Sequence, residues 1–225
     1  MKIPLSNRLM ACCDFVRPGD RVADVGCDHG YTGIYLLKSG IASFVYASDV
    51  REMPLQSAIR NSEKYGVRDK MSFYLSDGVR NIPKTFDCMV CAGMGADTMI
   101  SILSAAPWLK DRKYRLILQC QSKRPELRRY LYRQGFAIRR EALAQDGKFI
   151  YPVIEAVYAP GGSFSEGDCY ISPALRESGS GLLPAFTERV IAGLRQTAAG
   201  LARSGSEKYG QYKAILEELT HDNRC

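Results

Sequence analysis

The stretch Ala23-Asp24-Val25-Gly26-Cys27-Asp28-His29-Gly30-Tyr31 decides the fold. It carries the chain from an apolar, β-like run at 22–25 into a helical pattern that buries Ile34, Leu36 and Leu37. The turn between them is short, holds Gly26 and Gly30, and is acidic at Asp24 and Asp28. Further acids stand at Asp49 and Asp77, where a second and a third strand are predicted to end. A glycine-bearing strand-to-helix turn lets a ligand approach the backbone, and a carboxylate one strand later can accept hydrogen bonds from ribose hydroxyls. The order implies a nucleoside ligand.

Upstream of this turn, an amphipathic helix is predicted over 5–16, with Leu5, Leu9 and Val16 on one side. Downstream, strands follow at 44–47, 71–75, 86–91 and 115–119, separated by helices at 52–65, 98–106 and 125–134. Pro125 suits the first turn of the last of these, and Gly135 suits the position just past its end. Two β-like runs, 136–145 and 148–158, then flank Asp146-Gly147, a two-residue hairpin signal. Repeated βα units imply a doubly wound, mostly parallel α/β sheet, Rossmann-like, closed at one edge by an antiparallel hairpin. That combination is typical of S-adenosylmethionine-dependent methyltransferases more than of dehydrogenases. Ala159-Pro160-Gly161-Gly162-Ser163 marks a change of composition, so a first domain is expected over 1–160 and a second over 161–225. The second reads as a helical hairpin, 184–203 and 207–220, with apolar stripes through Phe186, Val190 and Leu194 and through Ile215 and Leu219.

The first turn runs Asp-x-Gly-x-Asp-x-Gly, so Asp28 stands where a dinucleotide fingerprint often has glycine. A carboxylate there repels a pyrophosphate and attracts an ammonium. S-Adenosylmethionine has that ammonium, carries a sulfonium and lacks phosphate. The chain also has no GxxxxGK[ST] loop. Asp49 is assigned to the ribose. Asp77-Gly78 either meets the adenine or forms a turn. Ala92-Gly93-Met94-Gly95 follows the fourth strand, where small residues permit close approach of a base and of the methyl-bearing sulfur.

Composition is ordinary for a soluble globular protein, with 46% hydrophobic and 24% charged residues in 225. No apolar run approaches the roughly 20 residues that span a bilayer, and 1–8 lack the apolar core of a secretion signal; a cytoplasmic protein is expected. Eight cysteines are read as small buried thiols, and Cys88-Met89-Val90-Cys91 has no second pair to complete a metal site. The net charge of +7 is uneven: 1–162 hold 24 Lys and Arg against 16 acids, or +8, whereas 163–225 hold 7 against 8. The excess peaks over 123–140, where Lys123, Arg124, Arg128 and Arg129 fall close together, a pattern suited either to a phosphate backbone or to a solvated helix face.

These motifs resemble the bacterial tRNA (adenine-N1)-methyltransferases that modify adenine 22. The resemblance rests on Leu5-Ser6-Asn7-Arg8-Leu9, on the Asp24–Tyr31 turn, on Ala92-Gly93-Met94-Gly95, on Leu116-Ile117-Leu118-Gln119 and on Asp146-Gly147-Lys148. It runs through most of 5–159, and the C-terminal helices match the family's appended coiled coil. The chain departs from the family at Cys120-Gln121, where Pro-Asn is usual, and at Ala96, often a second glycine. The resemblance implies S-adenosylmethionine held by Asp24, Gly26, Asp28, His29, Gly30, Asp49, Asp77, Gly78, Ala92 and Gly93. A target base met by Tyr31, Gly93, Met94 and Gly95 is expected, and with a tRNA substrate the basic helix reads as a phosphate-contacting surface through Arg8, Lys123, Arg124, Arg128 and Arg129. Tyr31 either contacts the base or packs at a helix start; His29 either organises the loop or adjoins the cofactor. N1 of adenine has an in-plane lone pair, so attack on the sulfonium methyl needs orientation more than a general base, and the base must be unpaired or extruded. A methyltransferase of another RNA, of DNA or of a small molecule is an alternative, as is a non-catalytic RNA-binding protein on the same fold.

Overall fold

A computed structural model describes residues 3–221; Cys225, counted above among the thiols, and the first two residues lie outside them. The chain opens with a short helix α1 (Asn7–Cys13) and then alternates β1 (Arg21–Val25), α2 (Tyr31–Lys38), β2 (Phe44–Asp49), α3 (Glu52–Lys64), β3 (Met71–Leu75), β4 (Cys88–Met94), α4 (Ala96–Ser104), β5 (Arg115–Cys120) and α5 (Arg124–Arg133). A long hairpin, β6 (Phe136–Asp146) and β7 (Phe149–Tyr158), leads to a one-turn helix α6 (Pro173–Arg176) and two longer helices, α7 (Leu183–Arg203) and α8 (Tyr209–His221).

The seven strands form one sheet in the order β3-β2-β1-β4-β5-β7-β6. β3, β2, β1, β4 and β5 pair in parallel, and β7 joins β5 antiparallel. β7 therefore lies between β5 and β6. Several elements are shifted by a few residues from the expected boundaries, β4 and α4 among them, and two differences change the reading. α1 is shorter than 5–16, starting after an extended Ser6 and closing at Asp14. In the hairpin Asp146 pairs with Phe149, so the turn residues are Gly147 and Lys148 rather than Asp146 and Gly147. Gly147 has φ +59°, which places glycine at the first central position of a tight hairpin turn.

Strand periodicity divides the core into two layers. Ala23, Val25, Met89, Cys91, Leu116 and Leu118 face α4 and α5. Val22, Val45, Cys88, Val90 and Ile117 face α1, α2 and α3. Cys88 and Cys91 thus pack on opposite faces of the sheet and do not converge on a common ligand position. Burial pushes the thiols of Cys12 and Cys91 up to about 12, which keeps them protonated. A third cluster joins Ile150 of β7 to Ile171, Leu175, Phe186, Leu194, Ile215 and Leu219. No helix among the described residues is long and apolar enough to cross a membrane.

The helices after β1 and β4 pack on opposite faces, so the sheet reverses its winding between those two strands. A crevice opens there at the carboxyl ends of the strands, where α/β sheets hold ligands.

Candidate cofactor cleft

At that crevice lies a cleft of about 440 Å³. It is lined by Asp24, Gly26, Asp28, His29, Tyr31, Asp49, Asp77, Gly78, Ala92, Gly93 and Met94, and also by Arg8, Val50, Arg51, Ser76, Thr98 and Ile102. Four carboxylates from the carboxyl ends of three neighbouring strands, β1, β2 and β3, thus share one cavity.

Asp24 is the deepest. The Gly33 N–H donates to its Oδ2 at 3.3 Å, and no ion pair reaches it among the described residues. Burial drives its pKa up to about 7, opposed by the Gly33 hydrogen bond and assisted by the charge of Asp49. Gly33 has no room for a side chain: a Cβ would lie 2.8 Å from Val45 Cγ1. Asp49, also buried, accepts the Asp28 N–H at 3.2 Å and the Arg51 N–H at 2.9 Å. Its carboxylate therefore fixes the first βα turn from the neighbouring strand. Asp28 takes φ +50°, a left-handed conformation that Asp tolerates better than most residues, and its Oδ2 lies 3.6 Å from His29 Nε2 at the exposed rim.

The loop after β3 is tied down from both sides. Ser48 Oγ donates to the Gly78 carbonyl at 3.1 Å, and Asn81 Nδ2 donates to the Leu75 carbonyl at 2.8 Å. Gly78 has φ +63°, and a Cβ there would meet Ile102 at 2.7 Å. On the facing wall, β4 bulges between Ala92 and Met94, which turns Gly93 into the cleft at φ +80°. The Gly93 N–H donates to Gln119 Oε1 at 3.1 Å, and Arg8 Nη1 donates to the same oxygen at 3.0 Å. A Cβ on Gly26 would collide with the Met94 side chain, so turn and bulge meet across the crevice.

The donor set tests the ligand. Acids line the floor and one side, no lysine lines the cleft among the described residues, its two arginines are engaged (Arg8 with Gln119 and Asp146, Arg51 beside Asp49), and the backbone approach at Gly26, Gly78 and Gly93 suits a thin, flat group. Such a lining rejects a pyrophosphate and accepts a cationic, phosphate-free nucleoside. S-Adenosylmethionine fits that description.

A protein-family model described as a methyltransferase domain matches residues 5–154. The chain belongs to the methyltransferase-domain family. The tRNA (adenine(22)-N(1))-methyltransferase of Bacillus subtilis is 31% identical over 156 residues, covering 69% of this chain and 66% of that protein, just under two thirds of its length. The solved structure of the B. subtilis m1A22 tRNA methyltransferase superposes with a TM-score of 0.81 at 25% identity, covering 98% of this chain and 96% of that one. A Streptococcus pneumoniae structure in complex with S-adenosyl-L-methionine gives a TM-score of 0.80 at 26% identity, covering 96% and 98%.

Of the residues predicted for the cofactor and the target base, two fall outside the cleft lining. Gly30, at φ +73°, caps α2, where a Cβ would lie 2.9 Å from Ala58 Cβ. Gly95 caps α4, where a Cβ would lie 2.8 Å from Ser122 Oγ. Tyr31 lines the cleft, edge-on to Tyr65 at 6.4 Å and 5.9 Å from the His29 ring.

The expected RNA-gripping face of α5 needs correction. Arg128 is fully buried, not exposed: its guanidinium pairs with Glu141 and donates to the Cys169 carbonyl at 3.2 Å. Arg129 is paired with Glu166 at 2.5 Å, and Lys123 with Asp97 at 2.6 Å. Arg124 lies over the Phe186 ring at 5.3 Å and donates to the Ile150 carbonyl at 3.3 Å. α5 is amphipathic, and Arg124, Arg128 and Arg129 cover the C-terminal segment, whereas Lys123 and Arg133 remain exposed. Arg8 moves the other way, from an assigned backbone contact to the wall of the cleft.

Sequence patterns did not single out Gln119, Arg51 or Ile102 as site residues. Gln119 carried a signal, a fully buried amide at the end of an apolar strand. Its Nε2 has no hydrogen-bond partner among the described residues, whereas its Oε1 serves two donors.

Proposed function

We propose that this chain is an S-adenosylmethionine-dependent methyltransferase that methylates N1 of adenine 22 in tRNA. The observation that carries the reading is the convergence of Asp24, Asp28, Asp49 and Asp77 on a cleft whose opposite wall is the Gly93–Met94 bulge. The sequence match to the Bacillus enzyme supports the choice of base.

When bound, S-adenosylmethionine supplies an electrophilic methyl on its sulfonium. The chain's own residues then hold and orient. Asp24 and Asp28 face the positive end of the ligand, and Asp49, already accepting two backbone N–H groups, keeps lone pairs for ribose hydroxyls. Asp77, Gly78, Val50 and Ile102 line the part of the cleft that would hold the adenine ring. Met94 and Gly93 bring backbone against the reacting atoms, and Tyr31 presents an aromatic edge to the incoming base. The target nitrogen attacks with its own lone pair, so no side chain removes a proton beforehand. Positioning and exclusion of water supply the rate enhancement.

The test is methyl transfer from labelled S-adenosylmethionine to bulk tRNA lacking the modification, followed by nucleoside analysis. N1-methyladenine at position 22 is expected. A different methylated nucleoside overturns the choice of base, and absence of cofactor binding by calorimetry overturns the enzyme reading.

A further inference from the structure

We infer that the tip of the β6–β7 hairpin is a second contact for the RNA substrate, a stacking and phosphate platform centred on Phe149 and Lys148. The inference rests on the proposed tRNA substrate and adds a site to it.

β7 runs antiparallel to β5 with Leu118 opposite Ile154 and Arg115 opposite Val157. Continuing that register puts Phe149 beyond Cys120, the last residue of β5, so the hairpin projects past the carboxyl edge of the sheet, on the side where the cleft opens. The tip is tethered to the cleft mouth. Asp146 Oδ2 lies 3.6 Å from Arg8 Nε, Asn7 Nδ2 donates to the Gln145 carbonyl at 2.9 Å, and Arg8 in turn shares Gln119 with the Gly93 N–H.

The chemistry of the tip suits nucleic acid. Phe149 is 53% exposed, one of few large apolar side chains left in solvent. Its ring lies 6.1 Å from that of Tyr151, and Lys148 Nζ sits 5.3 Å from its centroid. Lys148 forms no ion pair among the described residues, and neither does Arg189, which donates to the Lys148 carbonyl at 3.0 Å. Arg128 and Arg129 of α5 are paired with carboxylates, and so is Lys123 just before it, whereas Lys148 and Arg189 are not; at the same tip Arg8 pairs with Asp146. An exposed aromatic ring flanked by unpaired cations matches an unpaired base and its phosphates. A protein partner would more often meet a larger, less charged apolar patch.

The experiment compares the full chain with Phe149→Ala, Phe149→Trp and Lys148→Ala, measuring binding to unmodified bulk tRNA across salt concentrations, cofactor affinity by calorimetry, and sedimentation. Phe149→Ala is expected to weaken tRNA binding about tenfold with an unchanged salt slope, and Phe149→Trp to restore it. Lys148→Ala should lower the salt slope by about one. Cofactor affinity should hold in all three. If the unaltered chain binds tRNA and the variants match it, the inference is overturned while the substrate reading stands. It is overturned in the same way if Phe149→Ala changes only the oligomeric state. If the unaltered chain binds cofactor but no tRNA, the substrate reading falls and the inference with it.

Discussion

The acids of the cleft and the arginines of α5 are both local concentrations of one charge, and the fold treats them in opposite ways. Arg128 and Arg129 each receive a carboxylate from a distant element, Glu141 of β6 and Glu166 beyond the hairpin. Ser172 Oγ also donates to Glu141, at 2.5 Å, so one buried network joins α5, the hairpin and α6. Among the described residues no buried cation compensates Asp24, Asp28, Asp49 or Asp77. The side chains nearest the last three are His29 at 3.6 Å, Arg51 at 3.9 Å and Arg80 at 3.4 Å, all on the exposed rim, and among the described residues no ion pair reaches Asp24. Charge that is fully partnered inside the protein stabilises a contact; charge left without a buried counter-charge in a cavity waits for a ligand. Removing one member from each group should therefore damage different properties.

The largest expected effect is on the partnered side. Arg128→Ala strands Glu141 in the core, and breaking a buried pair in this way typically costs about 3–5 kcal/mol. A denaturant titration should show the midpoint falling accordingly. The double change Arg128→Met with Glu141→Leu removes both charges and should recover much of the loss. If Arg128→Ala costs under about 1 kcal/mol, the claim that this network fastens the C-terminal segment fails.

On the unpartnered side, Asp49→Ala should leave most of the stability intact and attack binding. It deletes a charged acceptor and frees the Asp28 and Arg51 N–H groups, a loss of about 1.5–3 kcal/mol, or roughly 10- to 150-fold in cofactor affinity by calorimetry. An unchanged affinity in a folded variant would take Asp49 out of the site.

The contrast also explains what the sequence could and could not disclose. The acids of the cleft were legible because each sits at a fixed place relative to a strand end, and strand ends follow from apolar periodicity. Gly26, Gly78 and Gly93 were legible as turn residues, and all three adopt positive φ against a neighbouring wall. The arginines misled because periodicity reports which residues share a face, not what covers it. Glu141 lies 13 residues from Arg128 and Glu166 lies 37 from Arg129, on elements whose docking no local pattern encodes. Arg51 and Ile102 went unread for a related reason: each enters the cleft from a loop or helix whose orientation is set only when the sheet assembles.

The smallest expected effect separates the two groups by pH. Asp24 carries a pKa raised from 3.8 to about 7 by burial. Between those values the native protein keeps a proton that the unfolded chain releases, so its stability falls as pH rises from about 4 to 7 and the cost is constant above. A cationic ligand needs the carboxylate charged. Cofactor affinity should thus be about tenfold weaker at pH 6 than at pH 8, levelling off on the alkaline side. Asp24→Asn removes both behaviours at once. That variant should bind cofactor poorly at every pH, yet resist denaturant better than the unaltered chain above pH 7 and match it near pH 4. A gain in stability coupled to a loss of binding is the signature of a charge placed for a ligand rather than for the fold. Arg128→Ala should show the reverse pattern of lost stability without gain at any pH. If Asp24→Asn retained the tenfold pH dependence of cofactor binding, the titrating group would be another residue, and the deep acid of the first turn would be structural.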